Sequence, residues 1–193
     1  DQPRELTDRQ MAALSRLAGQ AAGLIETRGR EASGRRRASG YGDSVDEHTG
    51  LPMRDALLDH LGEAGPLPRN SSAIALRVEE VDGSGPRAGL LADGALRAIG
   101  RAILRCVPDT AEVARAFGIF IVVLPGMDGT DARGVVAEIR NRLRGAIIVG
   151  ADLSLHVGLT AGLATTLGPA PVSPGDLVGA AEDALRQTGT LGL

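Results

Sequence analysis

Two strand-length apolar runs, residues 111–116 and 118–124, follow one another with Gly118 as the turn between them. So close a pair reads as a β-hairpin, although the turn lacks the Asn-Gly or Asp-Gly chemistry that such turns favour. A hairpin in mid-chain commits its neighbours to an antiparallel sheet, and the flanking segments fit one. Residues 72–80 form a strand pattern. Ala92, Ala95, Leu96, Ile99, Ala102, Ile103 and Cys106 then recur at helical spacing. Val135, Val136, Ile139 and Leu143 mark a helix after the hairpin, followed by strand candidates at 146–149 and 153–164. A last helix over about 175–187 presents Leu177, Val178, Ala181, Ala184 and Leu185. Before the first strand, Met53, Ala56, Leu57, His60 and Leu61 share one helical face. Strand runs alternating with helices around a hairpin predict an α+β sandwich, one sheet covered by helices.

The chain divides into three parts. Residues 1–27 contain a helix over 5–27, whose Leu14, Leu17, Ala21 and Leu24 alternate at spacings of three and four. Two readings of that stripe stand: a short coiled coil, which would give a weak homodimer, or an amphipathic helix packed on its own domain. Residues 28–44 hold Arg28, Arg30, Arg35, Arg36 and Arg37 among Gly, Ser and Ala and read as a flexible linker. Residues 45–193 form the compact domain.

Composition narrows the chemistry. With no Trp, one Tyr and two Phe, the core has to be built from Leu, Val, Ile and Ala. Every one of the 21 basic residues is Arg, which removes lysine-dependent chemistry. A net charge of −3 gives no reason to expect DNA as a partner. The single cysteine, Cys106, excludes an internal disulfide or a multi-cysteine zinc site, and its helical spacing makes it a core residue. No apolar run is long enough to span a bilayer, so a reduced, cytoplasmic setting is the expectation. His48, His60 and His156 are dispersed without metal-ligand spacing, and no P-loop, dinucleotide or Ser/His/Asp motif occurs.

The segment Asp46-Glu47-His48-Thr49-Gly50-Leu51-Pro52-Met53-Arg54 resembles the opening motif of GGDEF (diguanylate cyclase-type) domains, D-x-L-T-G-L-x-N-R. Later landmarks keep that family's order. Val113-Ala114-Arg115 and Val122-Val123-Leu124-Pro125-Gly126 bracket the position of the signature hairpin. Val157-Gly158-Leu159-Thr160-Ala161-Gly162-Leu163-Ala164 is similar to the V-T-V-S-I-G-V-A strand, and Ala181-Glu182-Asp183-Ala184-Leu185 to the closing A-D-x-A-L helix. The resemblance covers roughly residues 43–193 and implies a nucleotide-cyclase/polymerase-palm-like fold, here with an added N-terminal helix.

The same comparison implies that the family's chemistry is missing. Diguanylate cyclases join two GTP molecules with metal ions held by carboxylates. Where the family has two glycines, two acids and Phe, this chain has Ala116, Phe117, Gly118, Ile119 and Phe120. Side chains replace bare backbone at the first two positions, and Gly118 and Ile119 carry no metal-binding oxygen. The first strand's acidic end is matched by Glu80 and Asp82, whose i, i+2 spacing makes either a weak cation site or a solvated strand end. Asp93 matches the Asp of the guanine-reading loop; it serves as an acceptor for a guanine edge or as a helix cap. Gly189 stands where a phosphate-binding Lys is expected, and Val107 where the inhibitory cyclic di-GMP site has Arg. Glu80, Asp82 and Asp93 are therefore the candidate ligand-binding residues, with no catalytic or metal site and no cofactor expected. The resemblance implies a degenerate, catalytically inactive regulatory or protein-interaction module of bacterial cyclic di-GMP signalling. Its partner is an unidentified protein, and the alternative is a sensor of cyclic di-GMP or GTP; a residual cyclase ranks last.

Overall fold

The computed structural model describes residues 41, 44–80, 93–144, 147–149, 153–167 and 170–190. The helix expected at 5–27 and nearly all of the Arg-rich 28–44 segment lie outside the described residues. Element order is α1 (Arg54–Glu63), β1 (Ser72–Glu80), α2 (Asp93–Cys106), β2 (Glu112–Ala116), β3 (Ile119–Leu124), α3 (Gly129–Leu143), β4 (Ile147–Val149), β5 (Leu153–Leu155), β6 (Val157–Thr165) and α4 (Pro174–Thr190).

Four strands form an antiparallel sheet in the order β2-β3-β1-β6, while β4 and β5 pair separately. β1 is central: Ser72 through Arg77 pair with Leu124 through Ile119, and all nine of its residues pair with β6. Because β1 is covered on both faces, it reads as a run of apolar residues rather than as an alternation. Ile74, Leu76 and Val78 pack with Val122 and Leu124 under α2 and α3, which contribute Ile99, Ile103, Val135 and Ile139. Ala73, Ala75, Ile121 and Val123 face the other way, toward Leu57 and Leu61 of α1 and Leu177, Val178, Ala181 and Leu185 of α4. Helices therefore cover both faces of the sheet, and the aliphatic core expected from composition is the one present, with Phe120 as its largest fully buried side chain.

The small residues on the α4 side have a packing consequence. A side chain at Gly162 of β6 would run into the backbone of Ala181 and Leu185, so α4 lies directly on the strand. Both α3 and α4 start at side-chain caps. Asp128 accepts from the backbone N–H of Thr130 at 2.7 Å and of Asp131 at 3.0 Å. Ser173 Oγ accepts from Asp176 N at 3.0 Å, just ahead of Pro174 at the first helical position.

Three expectations need correction. The single strand expected at 153–164 is two, divided at exposed His156: β5 turns away to pair with β4, and β6 alone runs the length of β1. The folded unit also reaches back into the segment read as linker. Tyr41 is buried, donates its hydroxyl to Glu112 at 3.2 Å and sets its ring edge-on to His60, with centroids 5.0 Å apart. His60 itself is exposed, so its place on the apolar stripe of α1 comes from the Tyr41 contact and not from core burial.

Candidate functional site

The hairpin joining β2 and β3 is as tight as a hairpin can be. Arg115 pairs with Phe120 and Ala116 with Ile119, leaving Phe117 and Gly118 as a two-residue turn. Both have positive φ, 22° and 90°. Such primed turns match the twist of the strands they join but strongly favour Gly, Asn or Asp at these positions. Gly118 supplies that freedom; Phe117 does not, and a bulky residue so placed costs about 1–3 kcal/mol. Phe117 is also fully exposed, so no burial within the domain offsets that strain.

Phe120 is the opposite case. At 1% exposure it anchors the base of the hairpin in the core, and the Arg115 guanidinium lies over its ring, 4.6 Å from the centroid. Arg115 Nη1 donates to the Ile119 carbonyl at 2.6 Å, which ties the two strands together below the turn. Burial pushes the Arg115 pKa down, opposed by the charge of Asp46.

Asp46 belongs to the opening motif, and the structure shows why that motif has its residues. Asp46 Oδ1 accepts from Thr49 N at 2.9 Å and from Thr49 Oγ1 at 2.6 Å. Gly50, at φ 70°, turns the chain so that Asp46 N can donate to the Leu51 carbonyl at 2.8 Å. The Pro52 carbonyl then accepts from Arg115 N at 2.8 Å, which docks the loop on β2. Arg54 closes the motif by reaching Glu182 of α4 through Nε at 2.8 Å and Nη2 at 3.1 Å. That fork-to-carboxylate pairing raises the Arg54 pKa, chiefly through its hydrogen bond to Glu182. All of these groups are engaged in holding the fold.

Beside the hairpin lies a cleft of about 470 Å³, bounded by α1, α4, β1 and the β2–β3 turn. Ala116, Phe117, Ile119 and Leu185 give it an apolar wall, and Arg54, Asp55, Arg77, Glu182 and Arg186 its charges. Sequence reasoning passed over Arg77 and Arg186. The available signal was an arginine inside the apolar β1 run, a position where a strand covered on both faces rarely spends a charge.

The five signature positions thus fall together at one end of the sheet. Glu80 ends β1 at that same end, three residues past the pairing of Arg77 with Ile119, opposite Val157. Asp93 begins α2, and Asp82 lies outside the described residues. Among the described residues no three His, Cys, Asp or Glu side chains gather as metal ligands, and no helix is long and apolar enough to cross a membrane.

A twisted antiparallel sheet with a central β1, a β2–β3 hairpin at its edge and helices on both faces is a palm-like α+β architecture. Solved structures place it more narrowly: the chain has the fold of GGDEF diguanylate cyclase domains. The diguanylate cyclase SiaD of Pseudomonas aeruginosa, solved in complex with its activator SiaC, matches 95% of this chain and 70% of its own at 23% identity and a TM-score of 0.59. The GGDEF domain of FimX, also from P. aeruginosa, matches 78% of this chain and 96% of its own at 19% identity and a TM-score of 0.61. The GGDEF domain of DgcB from Caulobacter crescentus, solved with c-di-GMP, matches 78% and 92% at 19% identity and 0.58. No protein-family model and no curated protein matches the chain.

Proposed function

We propose that this chain is a catalytically silent GGDEF-type domain that acts in cyclic di-GMP signalling as a regulatory, protein-binding module. The observation that supports it is the hairpin turn: Ala116, Phe117, Gly118 and Ile119 bring no carboxylate to the sheet end where the chemistry of this fold is performed. Phosphoryl transfer to a nucleotide hydroxyl needs metal-borne charge neutralisation, and hydrocarbon side chains cannot hold the metals. A protein-binding role fits an exposed Phe in place of a wet catalytic loop, and SiaD is a protein of this fold solved with a protein partner.

A second reading, a nucleotide sensor, draws on Glu80 standing at the same sheet end as the turn. Two measurements separate the readings. Incubation with GTP and Mg²⁺ or Mn²⁺ should yield no cyclic dinucleotide by mass spectrometry; product above a protein-free control would exclude a silent domain. Calorimetric titration with GTP and with cyclic di-GMP, each with and without Mg²⁺, should show no binding; micromolar binding would favour the sensor.

A further inference from the structure

Resting on the protein-binding reading above, we infer that the cleft beside Phe117 is a docking site for an acidic peptide segment carrying an apolar side chain. Phe117 stands at the rim, fully exposed and held at a positive φ that its side chain disfavours. A strained, exposed aromatic is retained where something outside the domain covers it. Behind it the lining is apolar: Ile119, partly exposed, lies beside Leu185, which is buried in the core.

Charge selects the occupant. Three guanidinium groups line the cleft against two carboxylates, Asp55 and Glu182, although the chain as a whole is net negative at −3. Glu182 is taken up by Arg54 in the two-bond pairing between α1 and α4. Arg77 and Arg186 each stand in a solvated ion pair. Arg77 meets Glu79 at 4.0 Å, and Arg186 pairs with Asp183 one turn away, where both side chains are more than half exposed. Solvated pairs of this kind contribute little and exchange readily for an incoming carboxylate. Arginine's planar fork suits that exchange, since it can take a carboxylate through two hydrogen bonds.

Fluorescence anisotropy on the full chain tests the inference, with a short labelled glutamate-rich peptide bearing a central leucine and its glutamine counterpart. The acidic peptide should bind, and the glutamine version should bind at least about tenfold more weakly. Phe117→Asn, which suits the turn and keeps the fold, should weaken binding by about tenfold or more, as should R77E/R186E. Melting curves confirm that the variants are folded. The inference is overturned if neither peptide binds, if both bind equally, or if Phe117→Asn has no effect. Displacement of the peptide by GTP or cyclic di-GMP would make the cleft a nucleotide site instead. Sedimentation showing dimers lost on Phe117→Asn would assign it to a second copy of this chain. A failed peptide titration with GTP turnover still absent overturns only the docking site; GTP turnover overturns the silent reading itself.

Discussion

Phe117 and Phe120 are three positions apart in one hairpin, and their environments predict opposite responses to substitution. Phe120 is buried at 1% exposure beneath the Arg115 guanidinium, so Phe120→Ala leaves a cavity and an uncovered cation. A loss of about 3–5 kcal/mol in chemical denaturation is expected. Phe117 touches no core, and its backbone conformation is one that Asn adopts more easily. Phe117→Asn should therefore leave stability unchanged or raise it by up to about 1 kcal/mol. A clear destabilisation would mean that the ring packs on the domain after all. The identity of both residues, and their place where the GGDEF signature would fall, could be read from the sequence alone. Their division of labour could not, because burial of one depends on the register of β2 against β3, and the imperfect turn chemistry left that register open.

Elements were legible where apolar spacing is continuous. β1, α2 and the hairpin strands sit within a residue or two of the spacing that predicts them, since each buries a stripe or a face too regular to misread. By contrast, α3 begins at Gly129, well ahead of the Val135 to Leu143 stripe that marks it. Contacts between elements were not legible. Arg54 and Glu182 are 128 residues apart, and nothing in either local segment announces their pairing. Gly162 is similar: in sequence it is one glycine of a strand motif, whereas in the fold it is where α4 meets β6. Gly162→Ala would bring the Cβ to 2.8 Å from Leu185 Cα and closer still to Leu185 N and the Ala181 carbonyl oxygen. Backbone cannot rotate aside, so α4 has to shift. A loss of about 3 kcal/mol or more, or failure to accumulate folded protein, is expected.

The capped start of α3 carries a pH signature at the same scale. Two backbone N–H groups hold the Asp128 carboxylate below its ordinary pKa. Its contribution is therefore fully present above the unfolded-state Asp value of about 3.9 and lost as pH falls through the lower folded value. Asp128→Ala should melt below the parent chain at neutral pH, with the gap closing under acid conditions; a gap independent of pH would assign the effect to something other than the charged cap.

At the scale of the whole molecule, the separation between fold and chemistry becomes testable. The residues that tie the domain together are intact: Asp46 on Thr49, Pro52 on Arg115, Arg54 on Glu182. On the silent reading proposed above, the residues that would act on a nucleotide are replaced at several separate places: the turn, the position of Gly189 on α4, and the segment between Glu80 and Asp93. If silence resided in the turn alone, restoring it would restore activity. The variant A116G/F117G/G118D/I119E puts glycines and acids back at the four positions while changing only residues in or beside an exposed turn. It should fold, because glycine relieves the positive φ now imposed on Phe117, while the one at 118 passes to Asp, which tolerates it better than most side chains. It should nevertheless make no cyclic dinucleotide, since two carboxylates supply metal ligands but no group that recognises the base. Mass spectrometry of a GTP reaction with this variant decides the matter: product formation would show that the rest of the site is competent and that catalysis was lost in the hairpin only.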